Sequence, residues 1–438
     1  MENKEQRSLK SSGAVAVFLT GSRTLFALLT QKLIAMWLGP SGLAQLGQFQ
    51  TVWMLFQSLS TGGGQDGLVK LTAEQKDPHT SKIPLAAFSA FTMITGAVLS
   101  VLLFLSSPHI ITHLELPPDW LIALRISALL IFFSGPCTCL QSWFMGRGMW
   151  GSLISIQTIT SLSPLVILGL VFYTPMDINT MSPLIFSLPP VISIMCLSLF
   201  NFFRATKFFF KHLINFSALK TFWPAYRRLA VMALPAVVVS PVSLIAARQI
   251  LARNEGWEVT GLYQALLRFF NYPILLFTTF LSVYYLPALG RSVGFKAREW
   301  KYHTLRVFLV LLVLCFFLAL IGPAQKTLLR LLYTDDIIVP FTWYYAFVLT
   351  TFIKLWVWLL SMQLFILEAW KSYWIVELQS AVIWISLTAL LVPALGVEGI
   401  LISSIVELII SLILLYLILP KIRKRKYSTL ISQNSSIA

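Results

Sequence analysis

Leu33-Ile34-Ala35-Met36-Trp37-Leu38-Gly39-Pro40-Ser41-Gly42 opens the stretch that decides the fold; an apolar run follows, and then Gly62-Gly63-Gly64-Gln65-Asp66-Gly67-Leu68-Val69-Lys70. The pattern is that of two membrane helices joined by a tight, uncharged turn, the second ending in glycines. Inside the apolar run lie Gln45, Gln48, Gln50 and Gln57. An amide left without a partner in hydrocarbon costs roughly 2–7 kcal/mol, so a helix carrying several of them lines something wet.

Composition points the same way. Apolar residues make up 57% of the 438 positions and charged residues 11%, against about 45–50% and 25% in a soluble domain. This is a polytopic membrane protein. Lys and Arg number 33 against 17 Asp and Glu, yet the basic residues cluster on no soluble domain, so nucleic acid is not an expected partner. Cys137, Cys139, Cys196 and Cys315 all fall in apolar runs, which speaks for packing over a disulfide framework or a zinc site. His109 and His113, four apart and near Glu115, have the spacing of a metal pair on a helix face, but a solvated outer loop is the simpler reading. No metal and no cofactor is expected. Gly62-Gly63-Gly64 lacks the Gly-Lys-Ser/Thr ending of a phosphate loop, so the chain carries no nucleotide-driven motor.

Runs long enough to cross a hydrocarbon layer of about 30 Å occur twelve times. In the first half they span Gly13 to Trp37, Gly42 to Thr61, Ile83 to Leu105, Trp120 to Met145, Leu153 to Tyr173 and Met181 to Phe203. In the second they span Leu229 to Ala252, Val259 to Leu289, Leu305 to Leu320, Val339 to Leu367, Tyr373 to Val392 and Gly396 to Leu419. The basic N-terminal residues lead into a first membrane helix and not into a cleaved signal. With that end cytoplasmic, about 24 of the 33 basic residues fall on inner segments, whereas the outer ones hold only Arg253, Lys326 and Arg330. Both termini are expected in the cytoplasm, and an even helix number follows.

The expected class is all-α, about twelve transmembrane helices in two six-helix bundles around a central cavity. Residues 1–203 form the N-terminal half and 204–228, the most basic inner connection, the linker. Residues 229–420 form the C-terminal half and 421–438 a basic cytoplasmic tail with its Lys421 to Lys426 cluster at anionic lipid. Gly42-Leu43-Ala44-Gln45 recurs as Gly261-Leu262-Tyr263-Gln264, a faint trace of a repeat. Pro164, Pro189, Pro190, Pro235, Pro241 and Pro273 mark helices that could bend.

Topology leaves six cations unexplained: Arg23, Lys32, Arg125, Arg248, Arg268 and Lys354. A charge at the bilayer centre costs about 2.5–3.5 kcal/mol on the lenient insertion scale, so such residues face a cavity, a partner or the interface. Arg23 and Lys354 lie deepest, whereas Lys32, Arg125 and Arg248 are close enough to a helix end for the head to reach the headgroups. Three belong to each half, where two bundles would present positive charge to a shared cleft. Positive charge suits a phosphate, and the aromatics Trp53, Tyr263, Phe269, Trp356 and Trp358 are candidates to stack on sugar rings. Glu407, near the middle of the last run, either neutralises a cation such as Lys354 or is the site whose occupancy by an ion couples transport.

The opening stretch resembles the first helix pair of the Wzx-type flippases of the MOP superfamily, which carry undecaprenyl-pyrophosphate-linked sugars across the bacterial inner membrane; within them it is most similar to the branch that carries enterobacterial common antigen (lipid III). Trp257-Glu258-Val259-Thr260-Gly261-Leu262-Tyr263-Gln264, continuing to Tyr284-Tyr285-Leu286-Pro287-Ala288-Leu289, resembles the matching block of the second half. The resemblance implies a non-enzymatic translocase of O-antigen or related polysaccharide repeat units, working by alternating access. Arg23, Lys32, Lys70, Arg248 and Lys354 fall where that branch has basic residues, while Gln50 and Asn271 stand where it has an arginine and an aspartate. Arg23, Lys32, Arg248, Arg268 and Lys354 are therefore the candidate substrate-binding cations and Glu407 the candidate coupling residue. Membrane lipids, a polysaccharide polymerase and a chain-length regulator are the implied partners. The competing readings are a MATE-type multidrug or metabolite exporter and a polymerase or sugar transferase; the latter class usually carries a large outer loop, which this chain lacks.

Overall fold

Where water is absent, each backbone N–H and C=O must be satisfied within its own segment, and the apolar runs answer by coiling. The computed structural model describes residues 2–63, 65–74, 82–173, 182–185, 187–189, 192, 216–281, 285, 297–367 and 369–435, among which there is no strand. The elements are α1 (Glu2–Thr61), α2 (Gln65–Glu74), α3 (Lys82–His113), α4 (Trp120–Gly146), α5 (Trp150–Tyr173), α6 (Phe216–Phe280), α7 (Ala297–Ile321), α8 (Gln325–Leu332), α9 (Phe341–Ile366) and α10 (Trp370–Ser435). A 3-10 turn, Gly322–Ala324, joins α7 to α8.

Three helices are too long for one crossing. α1, α6 and α10 have 60, 65 and 66 residues, about 90–100 Å at 1.5 Å per residue against a layer of about 30 Å. Each holds one residue outside helical backbone: Gly39 at φ 64°, Gly256 at φ 84° and Gly396 at φ 55°. Side chains rarely tolerate that left-handed region, and glycine enters it without a Cβ penalty. Each long helix is thus a pair of arms hinged on one glycine, and the hinges fall where the sequence expects outer turns. Seven helical segments among the described residues are long and apolar enough to cross a membrane, two of which, Ala233–Thr278 and Trp370–Arg423, contain both arms of a hinged helix. Most of the expected run from Met181 to Phe203, and residues 204–215 of the expected linker, lie outside the described residues, while 216–228, expected as the rest of that linker, are already the helical start of α6.

Two local expectations differ from the structure. α3 runs on through His109 and His113, so both sit exposed on its last turns and not in a loop, and no metal-holding group of three His, Cys, Asp or Glu occurs among the described residues. Pro164, Pro235, Pro241 and Pro273 do not break their helices either: backbone helicity continues through them and the break in α6 is at Gly256. Proline removes a single hydrogen bond, whereas a positive φ redirects the chain.

The chain divides into two compact units, Met1–Leu38 with Gln45–Ile245, and Gly39–Ala44 with Ala246–Ala438. In the first, α3 and α4 approach closely over small residues: a Cβ on Gly135 would lie 2.7 Å from Thr92 Cβ, and one on Gly96 3.3 Å from the Ile131 carbonyl oxygen. The start of α6 belongs here as well. Tyr226 stacks on Phe91 with ring centroids 4.9 Å apart and donates its hydroxyl to the Thr61 carbonyl at 3.3 Å. In the second unit Phe277, Leu281, Leu311, Leu355 and Leu359 form a buried cluster. Tyr344 donates to the Leu318 carbonyl at 2.9 Å and Tyr333 to the Ala265 carbonyl at 3.0 Å.

Candidate functional site

Three polar assemblies sit inside these apolar units. The first joins the two arms of α6. Arg248 lies near the end of the first arm and Arg268 in the second, at 3% and 7% exposure. The guanidiniums are within electrostatic reach of each other; Tyr263 flanks Arg248, and Tyr333 and Tyr272 flank Arg268. Hinging α6 at Gly256 is what brings two cations twenty positions apart in sequence near each other among three phenols. The sequence marked the arginines but not Tyr272 or Tyr333, whose approach depends on the hinge and on the segment after α8.

The second assembly spans α9 and α10. Lys354 is half-buried and interacts electrostatically with Glu407 and Glu377. Glu407, at 6% exposure, accepts a hydrogen bond from Ser411 at 2.9 Å and another from Ser380. Tyr373 hydrogen-bonds Glu377. One ammonium and two carboxylates therefore share a membrane-embedded cluster with three hydroxyls, a set able to exchange a proton or hold a small cation through oxygen ligands.

The third lies in the first unit and carries no charge among its described lining. It is a cavity of about 340 Å³ faced by Gln31 of α1's first arm, Gln50 and Gln57 of its second, Gln141 of α4 and Gln157 of α5, with threonine and serine hydroxyls between. The periodicity explains the convergence: Gln50 and Gln57 are seven apart, and Gln157, Thr160, Ser161 and Pro164 follow the i, i+3, i+4, i+7 stripe of a single helix face. Gln45 and Gln48 do not line it. Gln48 is fully buried and donates to the Ile245 carbonyl at 3.0 Å, tying the first arm of α6, near its end, to this unit.

The remaining sequence candidates scatter. Lys32 is half-buried on α1. Arg125 sits over the Phe104 ring, 5.2 Å from its centroid. Arg23 falls on the α1 backbone with its side chain outside the described residues, as does that of Lys70 on α2. Trp53 is buried in the core and Tyr263 packs on Phe347 at 5.5 Å, so neither is free to stack on a sugar. Trp356 borders an apolar cleft of about 400 Å³ in the second unit, beside Phe308, Tyr416 and Arg423. There the Gln363 amide donates to the Tyr285 hydroxyl at 2.8 Å and Arg423 donates to Gln363.

No protein-family model and no curated protein matches the sequence. Solved structures do. An inward-facing multidrug resistance MATE family transporter of the MOP superfamily aligns with a TM-score of 0.69 at 13% identity, over 94% of this chain and 99% of that one. An outward-facing one aligns with a TM-score of 0.66 at 16% identity, over 96% of each. A MOP superfamily transporter from Pyrococcus furiosus, described as having a binding pocket of reverse polarity that suggests a different function, aligns with a TM-score of 0.66 at 13% identity, over 96% of this chain and 95% of that one. The hinged, all-helical chain therefore has the fold of MATE transporters of the MOP superfamily.

Proposed function

We propose that this protein is a flippase that moves undecaprenyl-pyrophosphate-linked oligosaccharide, an O-antigen or related repeat unit, from the cytoplasmic to the periplasmic leaflet of the bacterial inner membrane by alternating access, with both termini cytoplasmic. The observation that carries the reading is the Arg248–Arg268 pair. Two buried guanidiniums close enough to repel gain most from an anion with several acceptor oxygens, and a pyrophosphate can take a fork from each. Lys354, held by Glu377 and Glu407, supplies a third cation; Arg23 and Lys32 on α1 complete the proposed set. Glu407 is the proposed coupling residue. A solved MATE fold in both inward- and outward-facing states supports the alternating-access mechanism. The polymerase and chain-length regulator that consume the flipped unit are the proposed partners.

An exporter of organic cations is the second reading, favoured by the multidrug MATE transporters of the same fold. The two separate in one assay. In cells lacking their own flippase, the chain restores surface polysaccharide and depletes lipid-linked oligosaccharide from the inner leaflet. Failure to restore it, together with increased resistance to cationic dyes, would establish the exporter instead.

A further inference from the structure

We propose that the amide cavity of the first unit is a carbohydrate subsite, binding the hydroxyl and N-acetyl groups of an uncharged sugar. This rests on the flippase reading above and adds to it a second recognition point, chemically unlike the cation pair. The cavity's volume, about 340 Å³, lies at the low end of the roughly 300–1,000 Å³ of small-molecule sites. Its chemistry is specific. Thr30 donates its hydroxyl to the Phe26 carbonyl at 2.8 Å, Thr138 to Ser134 at 2.9 Å, Thr160 to Ile156 at 2.8 Å and Ser161 to Gln157 at 2.7 Å. With their hydrogens committed to the helix backbone, these hydroxyls offer only acceptor lone pairs to the cavity. The carboxamides add donors and acceptors together. A sugar hydroxyl both donates and accepts, so it can satisfy such a wall, whereas an organic cation finds no carboxylate among the described lining residues. Gln31, at 8% exposure, lines the cavity beside them.

The test uses the full chain in detergent micelles and two probes, undecaprenyl pyrophosphate and the same lipid carrying N-acetylglucosamine, with binding read by native mass spectrometry. The wild type is expected to prefer the sugar-bearing probe. Gln141→Leu with Gln157→Leu should weaken that probe by about tenfold, the size of one or two hydrogen bonds, and leave the sugar-free probe unchanged. Gln141→Asn and Gln157→Asn shorten the amide without removing it; they should lose part of the preference, and they keep the test decisive if the leucine variant does not fold. A wild type without preference, or variants that keep it, or that weaken both probes equally, overturn the subsite while leaving the flippase reading in place. A wild type that binds neither lipid overturns the flippase reading and this inference with it.

Discussion

Gly261 lies directly against the backbone of Pro40: a Cβ at Gly261 would overlap the Pro40 carbonyl oxygen and come within 2.8 Å of its Cα. The Gly39-Pro40-Ser41-Gly42 turn and the second-arm start of α6 are thus in backbone contact inside one unit. Gly261→Ala is expected to destabilise the protein by roughly 1–3 kcal/mol, since backbone cannot step aside as a flexible side chain can. Gly151→Ala and Gly169→Ala have open space at the new methyl and helical backbone, so they should be neutral or slightly stabilising. Thermal unfolding of the three purified variants checks the ranking, and equal midpoints would show that the turn yields.

The paired guanidiniums predict a graded response. Arg268→Lys keeps the charge and loses the fork, whereas Arg268→Ala loses both. Translocation of lipid-linked oligosaccharide should fall about tenfold or more in the alanine variant, and less in the lysine variant, at equal membrane levels. The same order is expected for Arg248. If all four variants insert and flip at the wild-type rate, the pair is structural and the pyrophosphate is met elsewhere.

Glu407→Gln retains the size of the side chain and an acceptor for Ser411 while removing its charge. Flipping in this variant should no longer respond to an imposed proton or sodium gradient, with binding of the lipid-linked sugar preserved. A response like that of the wild type would remove Glu407 from coupling. Loss of folded protein would mean that the carboxylate chiefly neutralises Lys354, because stranding one member of a buried pair costs about 3–5 kcal/mol; in that case Lys354→Met combined with Glu407→Gln should recover expression.

Orientation is open to labelling because Cys137, Cys139 and Cys315 are buried. With Cys196 replaced by serine, a cysteine at exposed Asp119, just before α4, should react with an impermeant thiol reagent in intact spheroplasts. One at exposed Met149, beyond the other end of α4, should react only after permeabilisation. The opposite pattern would invert the topology.

By itself the sequence determined the class of molecule, the turns and the inventory of buried charge. Hydropathy is local along the chain, so the apolar runs could be counted, and the glycines at positions 39, 256 and 396 sit where those runs require the chain to reverse. Tertiary structure decided the rest. Which way a side chain faces around its helix matters only relative to neighbours far away in sequence. Gln50 and Gln57 reach a cavity while Gln48, on the same helix, ties down the Ile245 carbonyl. Arg248 and Arg268 become a pair only because α6 folds back at Gly256, and Lys354 meets Glu377 and Glu407 only because α9 packs on α10. In hydrocarbon, apolar contact alone does not discriminate one helix face from another. Small residues and the few polar groups therefore set the packing, and their partners exist only once the helices have met.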